Sequence, residues 1–575
     1  MIMRDRMLPN CVRYEMRARR LATVLVLCVS SVASQPGHGC VGGPCNRVNQ
    51  TCNPGPFDAY GSPQFHVKDA SCGENDPNMP FFDPLFHVYH AFWEAHLALD
   101  TGRGPVIGHA VSADMVHWAH MPVAIWNDEI WDSSAIFTGS ATVVNGDPII
   151  VYPGICTKSS WPACGSTSTV NAVALPANRS DPLLTNWTKP SYNPVIENAI
   201  KDVSTSWKTP DGNFSFTNAA GQVWASRDFM SFYLKFNESV PGWGGDCPDF
   251  FPLPRACTGV VGCGGNASFP LPSHVYKTST GSRCGGADCY FLGVYEPTAT
   301  SAKASWTPDA AAPRGQPLDF GTTGAIYASK SFESGDGRRI VWAWANVLPA
   351  SVQSLPRELT WHGPLRRLLI NPLPELTALR GTPLAAPGQV SLSEGGARNW
   401  LGDWPPGAGN QSEIFVNATL PNAAAVFGVS VLSGRNASGV NVSSVVSIAW
   451  DPTSRNCSVT VGGVDKGDGA QMGNSPPYGP STALLPLADD EAYVDIRIFV
   501  DHSIMEVFVG GGRLVFTVGT LPGASNTTAG VSLWTSTGSP SVDFSGVAVW
   551  PIQSIWVSAA EVVEAAEIRR KLQNH

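Results

Sequence analysis

The stretch AIFTGSATVVNGDPIIVY, residues 135–152, shows the pattern that decides the fold. Two short runs rich in β-forming residues, Ala135–Val144 and Pro148–Tyr152, are separated by an Asn-Gly-Asp turn sequence. Similar runs recur along the chain between Gly, Pro, Asp and Asn residues, among them Tyr290–Tyr295, Ile326–Phe332 and Ile340–Trp344. Many short strands at close spacing predict an all-β sandwich, barrel or propeller. The sequence has no clean internal repeat, so periodicity alone does not select the propeller.

The composition of the 575 residues agrees with a folded chain that contains many turns. Charged residues make up 14 % of the chain, against roughly 25 % in an average soluble domain, and the chain contains 57 Gly and 47 Pro. The 43 % of hydrophobic residues is enough to form a core, which excludes wholesale disorder. A long helix bundle is also excluded, because such proteins contain little Gly and Pro. The length favours two large domains.

The charge distribution argues against a nucleic-acid partner. The chain has 37 basic and 46 acidic residues, for a formal net charge of −9. No run of Lys and Arg forms a basic stripe beyond the first twenty residues. Because nucleic-acid binding requires such a positive surface, we expect none.

The N-terminus has the features of a secretory signal peptide, which we place at residues 1–34. Four arginines between residues 13 and 20 precede the apolar run Leu21–Val29, and the small residues Val32-Ala33-Ser34 follow it. The apolar run is too short to span a membrane, which takes about 20 residues. We therefore predict a secreted or extracellular protein that is not bound to a membrane, or one delivered to a vacuole-like lumen.

Cysteines and glycosylation sequons support passage through the secretory pathway. Twelve of the 14 cysteines follow the signal peptide, an even number typical of disulfide-bonded extracellular proteins. Several of these cysteines lie close in sequence and predict local disulfides, although the sequence leaves the pairing open. Cys247 and Cys457 are candidates for free thiols. Twelve Asn-x-Ser/Thr sequons, from Asn49 to Asn526, predict a glycoprotein. The close pairs are Cys156 with Cys164, Cys257 with Cys263, and Cys284 with Cys289.

The remaining chain divides by composition into five segments. Residues 35–70 form a Cys-rich arm, and residues 71–375 form a first β-rich domain. Residues 376–400 are rich in Gly, Pro and Ser and predict a linker. Residues 401–555 form a second β-rich domain, whose alternating pattern suggests a sandwich. Residues 556–575 lack Gly and Pro and predict a short exposed C-terminal helix that carries no chemistry.

The sequence contains no recognisable metal, phosphate-binding or serine-nucleophile motif. His87, His90 and His96 lie close together but lack the spacing of a zinc site, so we interpret them as loop or core residues and predict no metal and no cofactor.

Carboxylate chemistry is the alternative, and three acids have notable surroundings. Asp76 lies in Asn75-Asp76-Pro77-Asn78, just before an aromatic run. Asp202 follows Lys201, and Asp246 follows a Gly- and Trp-rich turn. Each acid taken singly could equally be a turn or surface residue.

The order of these segments resembles that of β-fructofuranosidases and invertases, glycoside hydrolase family 32. Asn75–Asn78 resembles the family's Asn-Asp-Pro-Asn signature. The resemblance runs from about residue 65 to residue 550. Six further segments follow in the family's order, namely Gly108–Trp118, Phe137–Thr142, Asp246–Phe250, Tyr327–Phe332, Leu355–Arg357 and Val500–Phe508.

This resemblance implies a five-bladed β-propeller with a site at its axial mouth, followed by a β-sandwich. It also implies hydrolysis of β-fructofuranosides, such as sucrose or fructans, by the retaining mechanism, in which two carboxyls lie roughly 5–5.5 Å apart. By position, Asp76 is the nucleophile, Asp246 is the acid/base and Asp202 stabilises the developing positive charge.

The resemblance also implies which residues contact the sugar. Phe137 and Thr138 would line the fructosyl pocket. Asn75 and Lys201 would bind substrate beside the acids that follow them in the sequence.

The chain departs from the family pattern at several of these positions. The family has Glu where this chain has Asp246, one methylene shorter. The family's Arg-Asp-Pro is Lys201-Asp202-Val203, which keeps the charge but loses the forked guanidinium. Matching its Phe-Tyr-Gln-Tyr-Asn segment with Phe86–His90 places Val88 at the sugar-binding glutamine. Two alternatives stay open: a fructosyltransferase, and a carbohydrate-binding protein without catalysis.

Overall fold

The computed structural model describes residues 62–69, 73–96, 104–236, 238–259, 263, 271–279, 288–321, 326–347, 351–400, 404, 407–435, 441–464, 480–520 and 530–573. The signal peptide predicted at 1–34 and most of the arm predicted at 35–70 lie outside these ranges, as do Cys72 and Cys284.

Within the described ranges, five antiparallel sheets follow one another between residues 73 and 372, and each is built from consecutive strands. Strands of neighbouring sheets contact one another: β1 (Gly73–Asp83) contacts β6 (Ser140–Val144) and β19 (Ile326–Glu333), and β14 (Asp246–Pro252) contacts β19. The sheets are therefore the blades of a five-bladed β-propeller, as predicted.

Blade 1 contains β1 (Gly73–Asp83), β2 (Val88–His96), β3 (Val106–Ser112) and β4 (Trp118–Ile125). Blade 2 contains β5 (Ala135–Ile136), β6 (Ser140–Val144), β7 (Asp147–Ile155), β8 (Thr169–Pro176) and β9 (Trp187–Thr188).

Blades 3 to 5 repeat this plan with strands of different length. Blade 3 contains β10 (Trp207–Lys208), β11 (Phe214–Thr217), β12 (Val223–Ser226) and β13 (Tyr233–Phe236). Blade 4 contains β14 (Asp246–Pro252), β15 (His274–Ser279), β16 (Cys289–Tyr295), the short helix α1 (Ala302–Ser305), β17 (Trp306–Pro308) and β18 (Gln316–Pro317). Blade 5 contains β19 (Ile326–Glu333), β20 (Arg339–Ala345), β21 (Val352–Gln353), β22 (Arg357–His362) and β23 (Arg367–Pro372), and a 3₁₀ helix (Pro374–Leu379) follows.

The stretch at residues 135–152 forms the hairpin that its turn residues indicate. β6 pairs with β7 from Ser140 opposite Val151 to Val144 opposite Asp147. Asn145 and Gly146 both have positive φ, 52° and 93°. This is the backbone of a two-residue type I′ turn, which favours Asn-Gly because both residues tolerate the left-handed region.

The second domain is a β-sandwich of two six-stranded sheets among the described residues, as predicted. Their inner faces enclose a core of aliphatic and aromatic side chains that includes Val429, Ile448 and Val507. One sheet has the order β24 (Ala385–Leu392), β35 (Val542–Pro551), β26 (Gln411–Thr419), β31 (Tyr493–Asp501), β32 (Ile504–Val509), β33 (Leu514–Gly519). The other has the order β25 (Ala397–Trp400), β34 (Gly530–Thr535), β27 (Ala425–Arg435), β28 (Asn441–Asp451), β29 (Asn456–Val464), β30 (Ser481–Leu484), and a 3₁₀ helix (Ala408–Asn410) precedes β26.

The linker predicted at residues 376–400 is wrong, because most of this segment belongs to the sandwich. β24 pairs with β35, and β25 pairs with β34. Both are strands at the edge of a sheet and are largely exposed. Their Gly, Pro and Ser content therefore reflects an exposed edge and not a flexible connection.

The C-terminal helix predicted from residue 558 is present as α2 (Ala559–Gln573). Ser558 and Glu561 form a capping box, in which the Glu561 carboxylate accepts from the Ser558 backbone N–H at 2.7 Å. The helix is not fully exposed, since Val562 and Ala566 are buried against Val88 and Val111 of blade 1. None of the helices in the described part of the chain is long and apolar enough to cross a membrane.

A buried lysine joins four blades at the propeller axis. Lys330, on β19 of blade 5, is 1 % exposed. Its ammonium donates to Ser140 Oγ of blade 2 at 3.0 Å, to the Val203 carbonyl before blade 3 at 2.8 Å and to the Pro248 carbonyl of blade 4 at 3.1 Å. An ammonium has three N–H donors, and each has an acceptor here. We call Lys330 and these three acceptors the axial staple.

A second polar cluster holds the two domains together. His66, ahead of blade 1, contacts Asp501 Oδ2 at 2.8 Å and Glu506 Oε1 at 3.3 Å, both in the sandwich. Glu506 also accepts from Arg357 of blade 5 at 2.9 Å, and Arg357 pairs with Asp319 at 2.8 Å. We call these five side chains the domain latch. Asp501 and Glu506 both lie in the segment Val500–Phe508.

Two of the predicted local disulfides lie in the described ranges, Cys156–Cys164 and Cys257–Cys263. Cys289 is disulfide-bonded as well. Cys247 and Cys457 are the free cysteines among the described residues, and both are buried, in agreement with the sequence prediction.

Candidate active site

The three predicted acids reach the propeller axis from different parts of the ring. Asp76 lies near the start of β1, and Asp246 lies at the start of β14. Both lie at irregular stretches of the sheet: Asp76 lies within the register shift between Glu74 and Pro77, and a register shift directly follows Asp246. Asp202 lies between blades 2 and 3 with a positive φ of 58°. Irregular backbone of this kind aims side chains out of the regular pleat.

Asp76 lies within reach of three hydrogen-bond donors. Thr138 Oγ lies 2.5 Å from Asp76 Oδ2, and Asn75 Nδ2 lies 3.0 Å from Asp76 Oδ1. The thiol of Cys247 lies 3.2 Å from Asp76 Oδ2. Burial, with the charges of Asp76 and Asp202, raises the pKa of Cys247, so the thiol keeps its proton and can donate it. These contacts fix the orientation of the Asp76 carboxyl, as a nucleophile requires.

Asp202 is 3 % exposed and lies beside the same cysteine. Its Oδ2 accepts from the Cys247 backbone N–H at 3.1 Å. Burial raises the pKa of Asp202 to about 6; the charge of Lys201 opposes this rise, and that of Asp76 adds to it. Asp202 therefore gains a proton near the acidic end of the physiological range.

Lys201 connects Asp202 with the third acid. Its ammonium lies 3.6 Å from Asp202 Oδ2 and 3.1 Å from Asp246 Oδ1. Burial disfavours the charged form of Lys201, but the charges of Asp202 and Asp246 outweigh it and raise the lysine's pKa. Lys201 thus stays charged between two acids.

Asp246 is partly accessible, with its side chain 38 % exposed. Its Oδ2 lies 3.1 Å from the hydroxyl of Tyr327, which also lies 2.9 Å from the Ser279 carbonyl. A tyrosine hydroxyl has one proton, and the carbonyl can only accept. When Tyr327 donates to the Ser279 carbonyl, its oxygen can accept a hydrogen bond from a protonated Asp246 carboxyl.

The other predicted substrate-binding residues surround the same acids. Asn75 and Thr138 contact Asp76, and Lys201 contacts Asp202 and Asp246, as described above. Phe137 is half-buried and directly precedes Thr138. The structure thus brings these residues together, while their roles toward a sugar stay predictions.

The match of Phe86–His90 with the family's glutamine segment is wrong. Val88 is fully buried against the C-terminal helix, away from the acids. The residue of β2 that lies beside the predicted nucleophile is Glu94, 2.8 Å from Asn75 Nδ2 and 3.2 Å from Thr138 Oγ. Phe92–His96 is therefore the segment of this strand that reaches the site.

Sequence reasoning missed three groups that contact the acids, namely Glu94, the Cys247 thiol and the Tyr327 hydroxyl. Cys247 and Tyr327 lie in the segments Asp246–Phe250 and Tyr327–Phe332, which carry the family resemblance. Their place in these segments was a usable signal. Glu94 had a weaker signal: it is an acid in an otherwise apolar and aromatic strand.

Comparisons with known proteins agree with this fold. Residues 66–372 match the model of the glycosyl hydrolases family 32 N-terminal domain, and residues 375–551 match the family 32 C-terminal model. A maize protein, beta-fructofuranosidase 1, is 28 % identical over 561 residues, which cover 86 % of this chain and 80 % of the maize protein. A rice protein, beta-fructofuranosidase insoluble isoenzyme 4, is 31 % identical over 360 residues. That match covers 55 % of each chain, so the chain spans about half the length of the rice relative.

A solved structure shows the same architecture. Fructan 1-exohydrolase IIa from Cichorium intybus superimposes with a TM-score of 0.70 at 23 % identity, covering 87 % of this chain and 99 % of that chain. At this identity the superposition shows the fold.

Proposed function

Since the chain belongs to glycosyl hydrolase family 32, we propose that it hydrolyses β-fructofuranosides, sucrose or fructans, by the retaining double displacement. The observation that carries the proposal is the meeting of Asp76, Asp202 and Asp246 around Cys247 and Lys201. Like charges brought to one place destabilise a fold, so three acids that converge from blade 1, blade 4 and the segment before blade 3 indicate a functional use for their carboxyls.

The first step would use Asp76 and Asp246 as a pair. A carboxylate oxygen of Asp76 forms a bond to the anomeric carbon of the fructosyl unit as the glycosidic C–O bond breaks. The bonding electrons leave with the glycosidic oxygen, which takes a proton from Asp246. The products of this step are a fructosyl ester of Asp76 and a released alcohol.

The second step would reverse the roles of the same groups. Asp246, now ionised, takes a proton from water as the water oxygen bonds to the anomeric carbon. The ester bond to Asp76 breaks, and fructose leaves. The contacts of Asp246 with Lys201 and Tyr327 hold its carboxyl in place in both steps.

The other residues would hold the sugar and the developing charge. Asp202, ionised above its pKa of about 6, places negative charge beside the oxocarbenium-like transition state and accepts hydrogen bonds from fructose hydroxyls. Asn75 and Thr138 would orient Asp76. Phe137 would form an apolar wall of the fructosyl pocket.

The experiment measures release of fructose from sucrose, inulin and levan by the purified protein. Asp76→Asn should lower kcat by on the order of 10⁴-fold or more, as removal of a catalytic nucleophile does. Asp147→Asn, in an exposed turn of blade 2, is the matched control and should leave turnover in place. Absence of fructose release from all three sugars would refute hydrolysis, and bound fructoside without turnover would favour the carbohydrate-binding alternative.

A second substitution tests the length of the acid. Asp246→Glu adds the methylene that the family pattern has. A misplacement of about 1 Å costs on the order of 10²-fold in rate, so this variant should raise kcat by a similar factor. Growth of kestose-like products at high sucrose would instead indicate the fructosyltransferase, in which a sugar and not water opens the ester.

We also infer that the protein enters the secretory pathway. The two disulfides described above require an oxidising compartment, and the sequence begins with the features of a signal peptide. N-terminal sequencing of the secreted protein should start near residue 35.

A further inference from the structure

Glu94 is a buried acid that the two-carboxyl mechanism does not use, although it lies beside the nucleophile. It lies on β2 of blade 1 and is 4 % exposed. Its polar contacts in the described part of the chain are Asn75 and Thr138, the same two residues that contact Asp76. Glu94 and Asp76 are thus joined twice, once through an amide and once through a hydroxyl.

Counting the donor protons of Asn75 and Thr138 shows that one contact of Glu94 needs a proton from Glu94 itself. The amide of Asn75 has two N–H donors, one for Asp76 Oδ1 at 3.0 Å and one for Glu94 Oε2 at 2.8 Å. The hydroxyl of Thr138 has a single proton, and its contact with Asp76 Oδ2, at 2.5 Å, is the shorter one. The 3.2 Å contact between Thr138 Oγ and Glu94 Oε1 then lacks a proton unless Glu94 supplies it.

We propose that Glu94 is a protonated positioning residue, which donates to Thr138 so that Thr138 donates to Asp76. The hydrogen bonds run in one direction, from Glu94 Oε1 to Thr138 Oγ and from there to Asp76 Oδ2. The proposal rests on the proposed function insofar as it takes Asp76 to be the nucleophile. Ionised Glu94 would compete for the Thr138 proton and place a second negative charge beside Asp76.

The charged surroundings of Glu94 favour its neutral form. Asp76 of β1 and Asp202 ahead of blade 3 both face it, and Cys247 of β14 keeps its thiol proton between them. His96, further along β2, contacts Asn75 and not Glu94. Burial, followed by the charge of Asp76, raises the pKa of Glu94 well above its ordinary range.

The proposal adds the ionisation of Glu94 to the loss of the catalytic acid's proton as a second cause of falling kcat/KM at alkaline pH. Above the pKa of Glu94, the fraction of protein with a correctly donating Thr138 falls tenfold for each pH unit. Glutamine keeps the shape and the donor of protonated Glu94 but has no proton to lose. Glu94→Gln should therefore move the alkaline limb of kcat/KM upward and make it less steep, because the catalytic acid alone then sets it.

The matched control is Glu74→Gln, one residue before Asn75. Glu74 is also buried, at 3 % exposed, and burial together with the charge of Asp69 raises its pKa as well. Its side chain contacts Gln353 at 2.8 Å and does not contact Asp76. Glu74→Gln should leave the alkaline limb where it is. An unmoved limb in Glu94→Gln, or an equal shift in both variants, would overturn the proposal.

A second measurement needs no substrate and separates this inference from the proposed function. Infrared spectra of the purified protein at pH 6 should show the carbonyl stretch of a protonated carboxylic acid that is absent from Glu94→Gln and present in Asp76→Asn. No loss of such a band in Glu94→Gln would overturn the proton assignment even if fructosides are cleaved. If the band is lost but no fructoside is cleaved, the proposed function fails while the protonation of Glu94 stands.

Discussion

We expect the protein to become less stable at alkaline pH, because His66 of the domain latch loses a proton there. Both ring nitrogens of His66 contact carboxylates, Asp501 at 2.8 Å and Glu506 at 3.3 Å, and all three side chains are fully buried. Two such hydrogen bonds require a proton on each nitrogen, that is, an imidazolium ion. Burial lowers the pKa of His66, but the hydrogen bonds and charges of Asp501 and Glu506 prevail and raise it to about 9.

The size of the effect follows from this shift. An unfolded chain releases the histidine proton near its ordinary pKa of about 6.5, roughly 2.5 pH units lower. At about 1.4 kcal/mol per unit, protonated His66 contributes on the order of 3 kcal/mol to the free energy of unfolding. Because the folded pKa is raised, this contribution is complete below pH 6.5 and is lost as the pH rises to about 9.

The assay compares urea unfolding of the wild-type protein and His66→Gln between pH 6 and 9.5. The difference in unfolding free energy between the two should shrink by about 3 kcal/mol over this range, since Gln cannot lose a proton. His87→Gln, on a turn of blade 1 outside the latch, is the control and should show no such trend. A difference that does not change with pH, or a His66 imidazole signal that titrates by NMR at or below pH 6.5, would refute the reasoning.

Two other predictions concern buried groups of the propeller. Lys330→Met removes the ammonium of the axial staple. The Pro248 carbonyl then loses its staple partner, at a cost of about 1–3 kcal/mol, while the Val203 carbonyl still accepts from Ser140 Oγ at 2.6 Å. The urea midpoint should therefore fall, and the exposed Lys303→Met should not change it. Burial lowers the pKa of His90 to about 3, so the unfolded chain takes up a proton between pH 6.5 and 3 that the folded chain does not. Stability should therefore fall on acidification, by up to about 1.4 kcal/mol per pH unit for this residue, and His90→Gln should flatten that slope; an unchanged slope would contradict the neutral buried ring.

The parts of the fold that are set by residues close together in the sequence could be predicted from the sequence. The hairpin at residues 135–152 is specified by its Asn-Gly turn, and the capping box of Ser558 and Glu561 starts the last helix. Cys156–Cys164 and Cys257–Cys263 join residues that are already close. Each of these features involves residues within about one turn or one hairpin of each other, so no knowledge of the ring is needed.

Features that depend on the closed ring could not be predicted in the same way. The contact between Glu94 and Thr138 joins two blades, and Asp76 beside it lies in a register shift of β1 that no local sequence pattern indicates. Two aromatic stretches, Phe86–His90 and Phe92–His96, compete for the same motif within eleven residues, and only the register of β2 decides between them. The strands β24 and β25 escaped prediction because an exposed edge strand lacks the apolar alternation that marks a strand.

The C-terminal tail gives the chain an unusual order of completion. Trp118, on the outermost strand of blade 1, donates its backbone N–H to Ile555 and accepts from Val557, and α2 then covers Val88 and Val111. During synthesis, blade 1 leaves the ribosome first among the blades, and Ile555, Val557 and α2 leave only after the sandwich. Blade 1 therefore gains these contacts only after the sandwich has been synthesised, and a nascent chain that stalls after residue 551 lacks them.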